Sequence, residues 1–260
     1  MSKLLVIKIG GSLTTNKEKP RTPNPAFIKN FVRDFAAIYR EHPEWHIVLG
    51  TGVGSYAHFP AHHYGLREGA KTPEQFYGLA VTHSEAQQIS MMITQALVDE
   101  QVPAFALTPS SLFTANNKDV ETSQLEPLKL LLANNCVPVV HGDTILDRTR
   151  GTTIFSTEVT LQAILETLAP EYSETCAVYV TKTSGVLDEE GRTMRELRVD
   201  AQVPTLETLE HDVSGGMSGK VAAARKAAQI ASRTYITGPD MQKLRRILAG
   251  QDADTRILSN

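Results

Sequence analysis

The chain has 260 residues, enough to bury a full core as one large α/β domain or two small ones. Its formal net charge is −3, so no global basic field favours nucleic acid, and no apolar run approaches the length of a membrane span. Cys136 and Cys176 are the only cysteines, with neither a disulfide framework nor a metal spacing, and both read as small core residues.

The first residues run into a strand without a signal-peptide pattern, so the expected compartment is the cytoplasm. That strand, Leu4–Ile9, leads into Lys8-Ile9-Gly10-Gly11-Ser12. Glycines let backbone N–H groups approach an anion closely, and a lysine adds a mobile positive charge, a pairing suited to phosphate. The same residues are also compatible with a strand ending in an ordinary turn. Lys17 returns to this site if the segment between is a turn. Asn24 is placed to cap a helix with Pro25 at its first position, and Phe27, Phe31, Phe35 and Ile38 then line one face.

His46–Gly50 predicts a second strand, followed by a second glycine loop, Gly52-Val53-Gly54-Ser55-Tyr56-Ala57-His58. It matches the dinucleotide pattern G-x-G-x-x-G/A, but that fingerprint needs a further strand ending in an acid about twenty positions on. Here that distance lands in Thr72-Pro73-Glu74-Gln75, a capping box that opens a long helix through Phe76, Leu79, Gln87, Met91 and Leu97. Strands are then expected at Ala104–Leu107, Val137–His141, Ala177–Thr181 and Thr234–Thr237. Helices are expected at Gln124–Asn134, Glu158–Leu168, Ser218–Ser232 and Met241–Leu248, with turns at Asp147–Gly151 and Asp188–Arg192. This alternation predicts a mostly parallel sheet with helices on both faces, carrying two lobes that divide near residue 150.

A third glycine loop, Asp212-Val213-Ser214-Gly215-Gly216-Met217-Ser218-Gly219-Lys220, is not a Walker A loop, because Ser214 and Val221 break that pattern. Lys220 nevertheless falls in the first turn of a helix, where a cation opposes the helix dipole unless an anion is shared. Three such loops suggest phosphoryl transfer. The histidines have no acidic neighbours at ligand spacing, so no protein metal site is expected.

Together the loops resemble the amino acid kinase superfamily, and within it the isopentenyl phosphate kinases, over nearly the whole chain. Lys8 to Lys17 looks like K-x-G-G-S-x-x-T-x-K. Gly52, Gly54, Ser55, His58, Ala61, Tyr64 and Gly65 fall on the family's second motif, and Thr82-His83-Ser84 resembles a signature in the long helix. Pro138 to Asp143 with Asp147 resembles P-V-x-x-G-D-x-x-x-D, and Asp212 to Lys220 resembles D-V-T-G-G-M-x-x-K. The resemblance implies a three-layer αβα sandwich around an open, mainly parallel sheet, with residues 1–150 binding the acceptor and 151–260 binding ATP, usually as a homodimer. Lys8, Lys17 and Lys220 are then expected at the β- and γ-phosphates of Mg²⁺-ATP. Gly10, Gly11 and Ser12 would cradle the transferred phosphoryl group, and Thr181, Gly185 and Gly216 would line the nucleotide site. Gly52, Gly54, Ser55, His58, Gly142 and Asp143 are expected on the acceptor. Ile89, Ile93 and Ile154, with Phe76, Leu79 and Phe155, are offered as walls for an isoprenoid tail, although each also fits core packing.

The chain departs from the family in three places, the first being loop two, where Val53 and Ala57 stand for glycines and narrow the backbone freedom near the expected acceptor. Ser156-Thr157-Glu158 stands where S-G-D is usual, so Glu158 is expected to organise the lysines from a side chain one methylene longer. Thr181-Lys182-Thr183-Ser184-Gly185-Val186 replaces T-D-V-D-G-V and lacks both acids. A fosfomycin-type kinase, or a degenerate nucleotide-binding sensor, therefore remains alongside isopentenyl phosphate kinase.

Overall fold

The computed structural model describes residues 2–201 and 216–259. Strand β1 (Lys3–Ile9) lies inside an eight-stranded sheet. In spatial order the strands are β10 (Glu196–Arg198), β12 (Thr255–Leu258), β11 (Arg233–Thr237), β9 (Glu174–Val180), β1, β2 (Trp45–Thr51), β6 (Val137–His141) and β3 (Ala104–Ala106). All pairs from β11 to β3 are parallel, and β12 runs antiparallel to β11.

Period-2 alternation along β1 builds the layers. Leu5, Ile7 and Ile9 point into a core closed by α2 (Pro25–Glu41), α4 (Pro73–Asp99) and α9 (Met241–Leu248). Leu4 and Val6 point the other way, into a core closed by α6 (Glu126–Ala133), α7 (Thr157–Leu168) and α8 (Gly216–Ala228). Lys8 is in phase with Leu4 and Val6, so the strand itself aims it at α7 and α8. The short helices α1 (Gly11–Thr14), α3 (His58–His63) and α5 (Pro109–Leu112) sit beyond strand ends. This is the three-layer arrangement expected.

A second sheet, β5-β4-β7-β8, was not foreseen; it joins β4 (Phe113–Asn116), β5 (Asp119–Ser123), β7 (Asp143–Asp147) and β8 (Gly151–Phe155). Every residue of β5 is exposed, so it carries no apolar alternation to read. Asp147 accepts backbone N–H bonds from Asn117, Lys118, Thr149 and Arg150, closing two turns at once. Burial would raise its pKa, but those four donors hold it below the ordinary carboxylate value.

Helix α4 also differs in phase from the expected stripe. Its buried face carries Thr82, Glu85, Ala86, Ile89, Ile93 and Leu97, whereas Phe76 and Met91 are exposed. Cys176 is buried as expected, but Cys136 is only half-buried. The caps are as read: Asn24 accepts from Phe27, and the Thr72–Gln75 box forms in both directions. Thr72→Ala is expected to lower stability by about 1 kcal/mol, the usual worth of such a cap, measured by urea unfolding.

Candidate active site

The site forms where β1 ends between β2 and β9. Lys8 is 5% exposed, and its Nζ lies 2.7 Å from Glu158 Oε1. Glu158 sits in the first turn of α7, whose N-cap Ser156 accepts from the Val159 N–H. The helix comes this close because Lys8 is paired across the ladder with Gly50, where a Cβ would stand 2.5 Å from Leu161 and 2.8 Å from Thr157. Burial alone would raise the Glu158 pKa. The Lys8 charge and hydrogen bond, the backbone N–H of Glu158 and the Lys220 charge outweigh it and hold the carboxyl below its ordinary value. Glu158 therefore lies within the field of two of the three expected lysines.

The glycines of loops one and two lock to each other. A Cβ on Gly52 would lie 2.3 Å from Gly11 N, and one on Gly11 would lie 2.6 Å from Gly54 N. Gly54 has φ +50, and a Cβ there would meet Thr15 Oγ1 at 2.0 Å. Thr15 accepts from the Ser55 N–H at 3.0 Å and donates to Gly11 O at 2.8 Å, while Thr14 donates to Gly52 O at 3.2 Å. The glycine requirement is thus loop-to-loop packing as well as access for an anion. Gly10 continues the ladder through Val180 O at 3.0 Å, and Ser12 lies in the first turn of α1.

The segment after Thr15 doubles back, with Thr15 bridged to Pro23, so Lys17 does lie in a turn beside the loops. It is exposed there. Arg21, at φ +49, sends its N–H to Ser55 O and its guanidinium to Glu85 on α4. Neither Arg21 nor Glu85 stood out in the sequence; the available signal was a charged residue on the buried face of α4. His58 is half-buried at the start of α3, one turn beyond Ser55.

Of the residues expected on the acceptor, Gly142 lies tight against α7, where a Cβ would be 3.1 Å from Thr157 N. Asp143 is buried and accepts from Ser110 N and Thr144 N. It also pairs with His83 Nδ1 at 2.9 Å, and this bond raises the His83 pKa. His141 is buried and pushed down to about 4 by desolvation, so it is neutral near pH 7. The proposed tail walls do not converge. Ile89 and Ile93 are fully buried in the core with Ile7 and Phe31, held there by the helix phase. Phe155 is also core, packing on Phe113, while Ile154 is 39% exposed on the opposite face of β8.

Of the residues expected at the nucleotide, Thr181 is buried and its hydroxyl donates to Thr183 O at 2.9 Å. Gly185 has φ +86, and a Cβ there would be 2.4 Å from Thr255 Oγ1, so the fold itself requires glycine. Ser184, standing where the family has an acid, accepts from Lys243 Nζ, which also pairs with Asp254 at 2.8 Å. A carboxylate from the C-terminal segment thus lies near the position that lost one. Gly216 opens α8, which carries Lys220; residues 212–215 of the third loop lie outside the described residues. A cavity of about 570 Å³, lined by Leu107, Thr108 and Gln124 among others, includes none of these groups.

A sheet with helices on both faces, two interlocked glycine loops and a lysine–carboxylate pair at the end of a central strand make a kinase-type α/β domain. The chain belongs to the amino acid kinase family, whose model matches residues 3–238. Among curated relatives it is similar to an isopentenyl phosphate kinase of Arabidopsis thaliana, 27% identical over 80% of this chain and 69% of that protein. It is also similar to one of Haloferax volcanii, 27% identical over 98% of each. In structure it is similar to the T. acidophilum isopentenyl phosphate kinase product complex, with a TM-score of 0.78 over 98% of this chain and 99% of that chain at 20% identity.

Two outcomes test this geometry. Gly52→Ala is expected to destabilise by at least about 1–3 kcal/mol, because backbone rather than a flexible side chain blocks its Cβ; urea unfolding measures it. Because the Glu158 pKa is depressed in the folded state, its contribution to stability is fully present above the ordinary carboxylate pKa. It is lost as pH falls through the lower folded value. The stability advantage of wild type over Glu158→Gln should therefore vanish toward acid, measured by unfolding across pH.

Proposed function

We propose that this protein transfers the γ-phosphoryl group of Mg²⁺-ATP to isopentenyl phosphate, giving isopentenyl diphosphate and ADP. The observation that carries this reading is the buried Lys8–Glu158 pair, within the field of Lys220, at the mouth of two interlocked glycine loops. An oxygen of the acceptor phosphate bonds to the γ-phosphorus as the bond to the β–γ bridging oxygen breaks, and ADP leaves with that electron pair. The nucleophile is already ionised, so no general base is required. Catalysis rests on alignment and on offsetting charge around the transferred group.

In this reading Lys8, Lys17 and Lys220 contact the β- and γ-phosphates, and Glu158 fixes the directions of Lys8 and Lys220. Gly10, Gly11 and Ser12 cradle the phosphoryl group, while Gly52, Gly54, Ser55 and His58 hold the acceptor phosphate. Residues 1–150 then serve the acceptor and 151–260 the nucleotide. Among the described residues no three His, Cys, Asp or Glu side chains are grouped to hold a metal. In this reading magnesium arrives on the nucleotide phosphates, where it would supply charge neutralisation. Exposed Phe105 and Leu130 flank an apolar groove at the β3 edge, which supports a homodimer. No helix among the described residues is long and apolar enough to cross a membrane.

The test is ADP release with Mg²⁺-ATP and isopentenyl phosphate, dimethylallyl phosphate or fosfomycin in turn. Turnover on isopentenyl phosphate supports the reading, preference for fosfomycin replaces the acceptor, and no turnover favours a nucleotide-binding sensor. His58→Ala is expected to lose about 10²–10³ in rate, the usual worth of one oriented donor, and unchanged turnover and acceptor affinity would remove His58 from the site.

A further inference from the structure

The Glu85 side chain is 6% exposed, on the buried face of α4, and its ion pair is with Arg21, whose side chain is 60% exposed. A carboxylate that far from water requires a cation, and the cation comes from the turn segment that carries Lys17. Arg21 reaches α4 by crossing the second glycine loop. Its N–H donates to Ser55 O, and the next N–H, from Thr22, donates to Ser55 Oγ. The far end of the segment is tied down by Asn24, whose Nδ2 donates to Leu13 O and whose N–H donates to Thr14 O. The guanidinium pair is the one bond in this set that fixes the segment to a long helix rather than to a neighbouring loop.

We propose that Arg21 and Glu85 are positioning residues that set the spacing between the Lys17 segment and the Ser55–His58 acceptor loop. The functional part rests on the phosphoryl-transfer reading above. Arg21 touches neither reacting group in this account; it anchors the strap of chain in which a donor-side lysine and the cover of the acceptor loop are joined. Loosening it removes no phosphate-binding side chain but lets the two halves of the site drift apart. A misplacement of about 1 Å at such a site can lower the rate about 10²-fold.

The test uses the full chain with Arg21→Lys and the double variant Arg21→Leu/Glu85→Leu. Removing both charges together avoids stranding a buried carboxylate, so the double variant is expected to unfold near the wild-type midpoint. Hydrogen exchange at the amides of Arg21, Thr22 and Ser55 should accelerate in it while exchange in β1 and β2 is unchanged. With isopentenyl phosphate its kcat should fall and its acceptor KM rise, together about 10- to 100-fold in kcat/KM. Arg21→Lys should recover part of both effects. Unchanged exchange at those three amides overturns the inference whether or not the protein is active. Faster exchange with wild-type kcat/KM overturns the functional part. An inactive wild type with accelerated exchange in the double variant leaves the strap established and removes the phosphoryl-transfer reading instead.

Discussion

A lysine at the end of a central strand, almost wholly removed from water, needs an anion beside it, and Glu158 supplies one at 2.7 Å. Taking both charges out of water is costly, and their attraction offsets that cost only with close geometry and further hydrogen bonds. The surroundings of the pair provide these. Gly50 lets α7 descend onto the sheet, and Ser156 caps the helix. The first turn of α7 places Glu158 where the helix dipole favours negative charge. Strand alternation turns Lys8 toward that helix and away from the opposite core.

The second constraint is mutual exclusion of side chains between Gly11, Gly52 and Gly54. The two loops form one packed unit, and Thr14 and Thr15 stitch it together. The unit is held together by its own backbone and threonine contacts. That suits chemistry depending on alignment more than on proton transfer.

Much of this was legible in the sequence. The strand runs, the Asn24 and Thr72 caps and the hairpin at Asp147 were signalled by local patterns that packing did not override. Loops one and two were found through their glycines, and Glu158 was singled out as an acid in place of another. What could not be read is what depends on three-dimensional proximity. The four-stranded sheet has an edge strand with no buried face, so periodicity is silent there. The phase of α4 was misjudged because Phe76 and Met91 are apolar yet exposed, whereas Glu85 is charged yet buried. Ile89 and Ile93, which fit a tail wall and core packing equally well by pattern, lie in the core. Arg21 and Glu85 lie in different elements, and nothing in either local context points to the other.

The sheet order has a consequence for assembly in time. Strand β1 is synthesised before the other strands of its sheet, yet its neighbour β9 pairs Lys3 with Glu174 and Lys8 with Tyr179. The partner of Lys8, on α7, also comes from the later part of the chain. A nascent chain that has completed only β1 to β8 carries both glycine loops but leaves Lys8 without its carboxylate and β1 open along one edge. Pairings of such long separation form slowly because the intervening loop must close before contacts reward it. The Lys8–Glu158 centre is therefore an outcome of late folding, and a chain interrupted midway carries an unpaired central strand as an aggregation hazard.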